Sequence, residues 1–432
     1  MPSRGLEAAV PAPSGEQPRR STLMDKAVRR RRRALFLAFL IAGISMSSWV
    51  TRTPAIRDRL EVSTAQMGLV LFGLSLGSML GISCSGRLVS RFGTRPVIVW
   101  GTWLLIAGMA VICAGAFASS VAGVTAGLCL FGAGMGGGDV AVNVDGTDVE
   151  RIGGTTTLPA LHGCFSLGTV FGAGAGMAAT AAGVPVHWHL AAVVLLAAGL
   201  LLFAARAIPA GTGRIVRTAR RAGGAAESHP AVWKDGRLLL IGAIVLAMAL
   251  AEGAANDWLP LLMVDGHGMD ATAGSLVYTG FAAAMTVGRF TGSYVLDRFG
   301  RINVVRASAA SGALGLLIVI VFDSPVLAGA AVLFWGLGAS LGFPLALSAA
   351  GESGPDETAR VGLVAVIGYV AFLVGPPGLG FLGDHLGLRP AMLVVLGCVA
   401  CAAFLAPAVD TSSRRVAGAA LPHQEAAEHT RS

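Results

Sequence analysis

Two stretches of this chain, about 207 residues apart, carry the same pattern of small residues at every fourth position. The first stretch has Gly73, Gly77, Gly81 and Ser85, and the second has Gly280, Ala284, Gly288 and Gly292. Each stretch leads into a short basic segment, 86–95 in the first half and 293–301 in the second. Such a repeat restricts the fold to two similar halves that enclose a site between them.

The composition indicates that both halves lie in a lipid bilayer. Of the 432 residues, 54% are hydrophobic and only 13% are charged, whereas soluble proteins carry about 25% charged residues. The net charge of +8 does not indicate a nucleic-acid partner, because the basic residues lie between apolar runs. We expect a monomer embedded in lipid.

Twelve apolar runs have about the 20 residues that a helix needs to cross a bilayer. They predict an all-α membrane protein with twelve transmembrane helices in two pseudo-symmetric six-helix lobes. We expect a disordered basic tail over 1–33, an N-terminal lobe over 34–206, a basic linker over 207–237, a C-terminal lobe over 238–407 and a disordered tail over 408–432. The twelve runs are 34–51, 65–89, 96–117, 120–143, 158–182, 187–206, 238–262, 271–296, 303–322, 325–349, 361–383 and 389–407.

The basic residues predict the orientation of the chain. With the N-terminus inside, all but five of the 32 Lys and Arg residues lie on the cytoplasmic side, as the positive-inside rule requires. The exceptions are Arg52, Arg57, Arg59 and Arg389 on the outer side and Arg289 within a span. We therefore expect a multi-pass protein of the inner (plasma) membrane with both termini in the cytoplasm.

The repeated basic segment resembles the signature that major facilitator superfamily transporters carry after the second span of each half. In the first copy, Ser90 stands where the signature has aspartate, and in the second copy Ser293 stands where it has glycine. The matching residues are Gly86, Leu88, Arg91, Gly93 and Arg95 in the first copy, and Asp297, Arg298, Gly300 and Arg301 in the second.

The resemblance implies the twelve-helix fold and a cytoplasmic latch. In the family, the aspartate and arginines of this segment contact the opposite lobe and hold the cytoplasmic side shut. Here the latch would be asymmetric, with Asp297 as the remaining aspartate; alternatively, the arginines only fix the topology.

Glycines at every fourth position also occur in the fifth span (Gly168, Gly172, Gly176), and two glycines eight residues apart occur in the eleventh (Gly375, Gly383). In the family, these two spans and spans two and eight line the contact between the lobes. Small residues would let the lobes slide across each other, or they would serve packing within one lobe.

Polar residues of the seventh span are the main candidates for transport chemistry. A charge in the middle of a bilayer costs at least about 2.5–3.5 kcal/mol, so it needs a function or a partner. Glu252 and Asn256 share a helical face, and Asp257 follows them. Glu252 is our first candidate for a proton-coupling group, and an ion pair within the second lobe is the alternative. Arg289 could pair with Glu252, bind an anionic substrate, or extend to the membrane surface.

Other polar residues are candidates for the cavity or a gate. Asp139 and Asn143 share a face of the fourth span, where Asp139 could pair with Arg87 or Arg91, or contact substrate. His162 could titrate near neutral pH or serve packing. Arg52 lies on the outer side, against the positive-inside rule, and it is a candidate for an outer gate or a substrate contact. Tyr278 and Tyr369 could line a cavity.

These observations favour a secondary transporter that moves a small-molecule substrate by alternating access, coupled to protons. No phosphate-binding loop, metal-ligand spacing or catalytic cluster is found in the sequence, so we expect no cofactor, no metal and no enzymatic activity. Export is favoured slightly, because no signature of a sugar permease is found. The alternative is a proton-coupled uptake permease for a sugar-like or organic-acid nutrient.

Overall fold

A computed structural model describes residues 16–153, 157–214 and 232–410, with side chains from residue 26 onwards. Residues 1–15 of the expected N-terminal tail, 215–231 of the expected linker and 411–432 of the expected C-terminal tail lie outside these residues. The first lobe contains α1 (Glu16–Val50), α2 (Thr53–Leu60), α3 (Thr64–Phe92), α4 (Thr94–Phe117), α5 (Val121–Gly153), α6 (Leu158–Ala181) and α7 (Val186–Ala205). The second contains α8 (Gly236–His267), α9 (Ala271–Phe299), α10 (Arg301–Val321), α11 (Pro325–Glu352), α12 (Glu357–Leu386) and α13 (Leu388–Leu405).

The described residues form twelve long helices and one short one, and eleven are long and apolar enough to cross a membrane. The other long helix, α9, has 29 residues, but its glycines, small polar residues and Arg289 make it less apolar. The all-α prediction is confirmed. Helix α2 was not predicted from the sequence, because an eight-residue helix with two arginines leaves no signal in hydropathy.

Two helices are longer than their apolar runs predict. Helix α1 begins at Glu16 rather than near residue 34, and α5 continues to Gly153 rather than ending near residue 143. The added turns are polar and contact each other, since Arg31 pairs with Asp145 at 2.8 Å and with Asp148 at 2.9 Å. Hydropathy marks the part of a helix that lies in lipid, and it does not detect polar turns that continue beyond it.

The helix ends define two faces of the molecule. The terminal face holds the start of α1, the described ends of the linker at Arg214 and Val232, and Asp410. The opposite face holds residues 51–63 between α1 and α3, the turn at Gly268 between α8 and α9, and the turn at Gly387 between α12 and α13.

The glycines of the repeat bring two helices together inside each lobe. A Cβ added to Gly77 of α3 would lie 1.9 Å from the backbone oxygen of Cys129 on α5, so only glycine fits this crossing. About 207 residues further on, Ala284 of α9 faces Gly336 of α11, where an added Cβ would lie 3.0 Å from the Cβ of Ala284. The glycine of this crossing lies on α3 in the first lobe and on α11 in the second, and the two helices cross closely in both lobes.

The glycines of α6 also pack within a lobe. A Cβ on Gly168 or Gly172 would lie 2.5 or 2.4 Å from backbone oxygens of α1. Of the two roles left open for the glycine stripes, packing within a lobe therefore applies to those of α3 and α6. The helices expected at the boundary do meet there: α3 and α6 use other faces, whereas Gly383 of α12 lies at the boundary, where an added Cβ would lie 3.1 Å from the side chain of Thr64 on α3.

The lobes meet where α3 crosses α12 and where α6 crosses α9. An added Cβ on Gly68 of α3 would lie 2.8 Å from the backbone oxygen of Pro376, and one on Gly380 would lie 2.9 Å from the Cα of Gly68. Closer to the centre, Ser75 Oγ donates to the backbone oxygen of Phe372 at 2.6 Å.

Polar contacts between the lobes also cluster toward the opposite face. Arg57 of α2 forms an ion pair with Asp265 of α8, and Ser275 Oγ donates to the backbone oxygen of Thr51 at 3.0 Å. The backbone N–H of Ala65 donates to Asp384 Oδ1 at 3.4 Å. The opposite face is therefore closed.

Ion pairs at the terminal face stay within a lobe. Arg301 pairs with Glu352 at 2.6 Å, and Arg360 pairs with Asp235, the residue that caps α8. The Arg360 guanidinium holds the pKa of the Asp235 carboxyl below its usual range. Among the described residues, the hydrogen bonds between the lobes that lie nearest this face are those of Thr286 and Arg289 of α9 with Ser166 of α6, at 3.2 Å each.

We predict that Gly77→Ala destabilises the protein, because the new methyl group must push α3 away from α5. Overpacking of this kind costs about 1–3 kcal/mol. The measurement is the midpoint of thermal unfolding of the purified protein in detergent. The matched control is Gly199→Ala in α7, where an added Cβ meets nothing within 4 Å. An equal loss in both variants would contradict the close crossing.

Candidate functional site

A cavity of about 260 Å³ lies between the two lobes, near the middle of the long helices. Helices α1, α3 and α5 line it from the first lobe, and α8 and α12 line it from the second. Most lining residues are apolar, and the charged ones are all carboxylates. The lining consists of Met46, Leu74, Ser75, Ser78, Met79, Ile82, Met135, Gly136, Asp139, Glu252, Gly253, Asn256, Asp257, Tyr369, Phe372 and Leu373.

Helix α8 supplies three polar groups to this cavity. Glu252 and Asn256 lie one turn apart on one face, and Asp257 is next to Asn256. Gly253 lies between them, and a Cβ added there would lie 3.1 Å from the ring of Phe372. The glycine thus lets the aromatic ring of α12 approach the polar part of α8.

Glu252 is held in an ion pair with Arg289. Arg289 Nη2 of α9 donates to Glu252 Oε1 at 2.9 Å, and Nη1 donates to Ser166 Oγ of α6 at 3.2 Å. Of the roles left open for Arg289, pairing with Glu252 is the one that the structure shows. The pair belongs to the second lobe, but the contact with Ser166 extends it to the first.

The carboxylate of Asp257 has no such partner. The residue is 7% exposed and lines the cavity. Within the described part of the chain it forms no ion pair and no side-chain hydrogen bond. The three polar groups that α8 supplies thus differ: one is neutralised by an arginine, one is an amide, and one is a buried acid that faces the cavity alone.

The two tyrosines take different positions. Tyr369 of α12 lines the cavity. Tyr278 of α9 is 1% exposed and lies behind it, where its hydroxyl donates to Asn256 Oδ1 at 3.0 Å. Tyr278 therefore orients the amide that faces the cavity, and it does not line the cavity itself.

Asp139 lines the cavity from the first lobe, and a polar chain leads from it toward the terminal face. Asn143 Nδ2 donates to the backbone oxygen of Asp139 at 2.9 Å, and Asn143 Oδ1 lies 3.2 Å from His162 Nε2. The ring of His162 packs edge-on against Phe39, with 5.2 Å between the ring centroids. Both expectations for His162 stay open, since it has a packing contact and a polar partner.

The expected pairing of Asp139 with Arg87 or Arg91 is wrong for this conformation. No ion pair joins them among the described residues: Asp139 lines the cavity between the lobes, and neither Arg87 nor Arg91 is part of that lining. The guanidinium of Arg91 lies instead over the ring of Phe92, 5.2 Å from its centroid.

Arg52 is bound within its own lobe in this structure, and its expected role as an outer gate or substrate contact stays a prediction. It is 3% exposed, and it donates to Thr180 Oγ1 at 2.6 Å and to the backbone oxygen of Val184. These partners belong to its own lobe, at the end of α6 and the connection to α7. The sequence does not reveal that Thr180 and the backbone at Val184 supply acceptors to this buried guanidinium, whose Nε has no partner among the described residues.

The segments that resemble the family signature lie at the terminal face, at the ends of α3 and α9 and the starts of α4 and α10. Among the described residues, Gly86, Arg91, Asp297 and Arg298 are exposed and have no hydrogen bond or ion pair to the other lobe. Gly93 and Gly300 adopt positive φ angles of 87° and 76° at the turns after α3 and α9, where glycine is favoured. Arg95 is half-buried at the start of α4. The expected latch therefore stays a prediction.

A repeated acid–base contact at this face was missed in the sequence. Asp145 accepts hydrogen bonds from Thr94 Oγ1 at 2.6 Å and from Arg31. About 207 residues further on, Glu352 pairs with Arg301. In the first lobe a threonine stands where the second has its arginine, and Arg31 from α1 supplies the charge. The repeat spacing could have revealed the two acids.

No metal centre is found in the described ranges, since no three His, Cys, Asp or Glu side chains there are placed to hold an ion. The cavity instead suits reversible binding of a solute, because it is closed at one end and has a largely apolar lining with carboxylates from both lobes.

We predict that Glu252 and Arg289 are coupled in stability. Glu252→Gln and Arg289→Gln should each lower the thermal midpoint, because each leaves one charge without its partner. The double variant should lose less than the sum, with a coupling energy of about 1–3 kcal/mol. A double-mutant cycle of unfolding midpoints in detergent measures this, with Asp323→Asn as a control at an exposed ion pair. Additive losses would contradict the contact.

Comparison with known proteins agrees with this architecture. The family model of the Major Facilitator Superfamily matches residues 4–149 and 35–376. An uncharacterized MFS-type transporter of Yersinia pestis is 32% identical over 368 residues, which cover 84% of this chain and 91% of the relative. The nucleoside transporter NupG has a TM-score of 0.70 at 14% identity, over 89% of this chain and 99% of its own. For the E. coli fucose:proton symporter FucP the TM-score is 0.62 at 18% identity, over 88% and 98%. The chain is therefore a member of the Major Facilitator Superfamily.

Proposed function

We propose that this protein is a secondary transporter that moves a small solute by alternating access, driven by protons, and that it acts as an exporter. The observation that carries the proposal is the cavity between the lobes, closed at the opposite face and lined by both lobes. A site that is sealed at one end and shared by two rigid units can be exposed to the other side when the units rock.

Asp257 is our proposed proton carrier. It is a buried acid on the cavity wall, and burial of an unpaired carboxylate is costly unless a proton neutralises it. Glu252, the first candidate from the sequence, is less suited because Arg289 already neutralises it at 2.9 Å. The Glu252–Arg289 pair is instead proposed to join the lobes through Ser166 and to rearrange when they move.

The lining favours a neutral or singly cationic solute with apolar parts. Its unpaired charges are the carboxylates of Asp139 and Asp257, and methionine, leucine, isoleucine and phenylalanine side chains form the apolar part of the wall. An organic acid would need a cation, yet Arg289 is neutralised and Arg52 lies in its own lobe. Export of such a compound is the function that we favour.

The alternative is proton-coupled uptake of a sugar-like or organic-acid nutrient. Ser78, Asn256 and Tyr369 present polar groups to the cavity, as recognition of hydroxyl groups requires. The structural neighbour FucP is described as a fucose:proton symporter, which makes proton-coupled uptake compatible with this fold. An organic acid is the less favoured part of this alternative.

Profiling of metabolites in spent medium, with overexpressing cells against empty-vector cells, separates the two directions. A compound that accumulates outside supports export, and one that is depleted faster supports uptake. The compound found is then used as the substrate in proteoliposomes. Equal profiles in rich and in minimal medium would count against transport.

We predict that Asp257→Asn abolishes accumulation driven by a pH gradient in proteoliposomes but preserves counterflow. The amide has nearly the shape of the acid and cannot carry a proton, so accumulation should fall at least about tenfold. Counterflow should remain close to that of the unaltered protein, because the lobes still rock. Asp323→Asn, which removes an exposed carboxylate outside the cavity, is the control. Undiminished gradient-driven accumulation in Asp257→Asn would exclude Asp257 as the carrier.

A further inference from the structure

The first helix carries its charges on two faces with different surroundings. Arg31 turns inward, where it pairs with Asp145 and Asp148 of α5. Four other cations, Lys26, Arg29, Arg30 and Arg33, follow the i, i+3, i+4, i+7 spacing that places side chains on one side of a helix. All four are exposed.

These four cations form one wall of a second cavity, at the terminal face between α1 and the end of α7. Its volume is about 420 Å³. The other wall holds Arg206 and Phe203, and Ala34, Ala204 and Ala207 complete the lining. We call this cavity the basic pocket. It does not share a residue with the cavity between the lobes.

The basic pocket holds five cations and no acid. Among the described residues, none of Lys26, Arg29, Arg30, Arg33 and Arg206 forms an ion pair, and no carboxylate lines the pocket. Like charges that converge on one concave site repel each other, and an anion placed between them relieves the repulsion. The guanidinium groups favour an anion with several oxygens, because they can bind two of them at once.

The position of the pocket favours a lipid as the source of that anion. It lies where the apolar parts of α1 and α7 end, which is the level of lipid headgroups. Phe203, 70% exposed, borders it on α7 and offers an apolar surface to an acyl chain. Basic pockets between transmembrane helices at this depth suit the headgroups of anionic lipids.

We propose that the basic pocket binds the phosphate of an anionic phospholipid, with Arg29, Arg30, Arg33 and Arg206 as its ligands and the acyl chains along Phe203. Because α1 and α7 both belong to the first lobe, the bound lipid would fix that lobe in its leaflet while the second lobe moves. The site is independent of the transported substrate.

The test uses the purified full-length protein in a neutral detergent. Phosphatidylglycerol is added, and bound lipid is counted by native mass spectrometry while the thermal midpoint is followed. The pocket variant carries Arg29→Gln, Arg30→Gln and Arg33→Gln. The control variant loses the same charge from exposed residues of the terminal face outside the pocket, through Arg214→Gln, Lys234→Gln and Arg306→Gln.

We expect phosphatidylglycerol to bind to and stabilise the unaltered protein and the control variant, and phosphatidylcholine to do neither. The pocket variant should bind phosphatidylglycerol at least about tenfold more weakly, with an unchanged midpoint in detergent alone. Equal binding by the pocket variant, or an equal loss in the control variant, would overturn the proposal. Inorganic phosphate that stabilises the protein at the same concentrations as the lipid would also overturn it, because the ligand would then be free phosphate.

Discussion

The structure depends on helix crossings so close that only small residues fit between the backbones. Gly77 against Cys129 in the first lobe and Ala284 against Gly336 in the second make each lobe a tightly packed unit. In lipid, where no hydrophobic effect drives helices together, such packing is a main source of cohesion. The lobes contact each other through separate faces of the same helices, so the boundary can change while the lobes stay intact.

The charges divide into those that hold a lobe together and those that remain for chemistry. Arg31, Arg301 and Arg360 pair with carboxylates of their own lobe, and Arg52 donates to Thr180 of its own lobe. Glu252 and Arg289 neutralise each other beside the boundary. Two carboxylates, Asp139 and Asp257, face the cavity without an arginine. This division is the basis for proposing proton coupling through Asp257 and a substrate that is not an anion.

Hydropathy and the repeat were sufficient to predict the helical fold and the two lobes, because the length and apolarity of a span are local properties. The pairing of Glu252 with Arg289 was also foreseen as one alternative, since few partners exist within the membrane. Neither the hydrogen-bond partners of Arg52 nor the neighbouring helix that each glycine stripe faces could be predicted. Both depend on helix rotation, which the sequence of one helix does not determine. The polar turns of α1 and α5 were missed because they are stabilised by contact with each other.

The central claim is that the lobes rock about the contact between α3 and α12 when a cavity carboxylate takes up a proton. It is tested most directly by pulsed electron paramagnetic resonance on two pairs of spin labels attached to these helices in lipid nanodiscs. Labels at Leu69 and Phe381 report on the closed opposite face, and labels at Phe92 and Thr358 report on the terminal face. When the pH is lowered from about 8 to about 5, a range in which a buried carboxylate can titrate, the first distance should increase while the second decreases. Distances that change together, or that do not change with pH, would contradict the account.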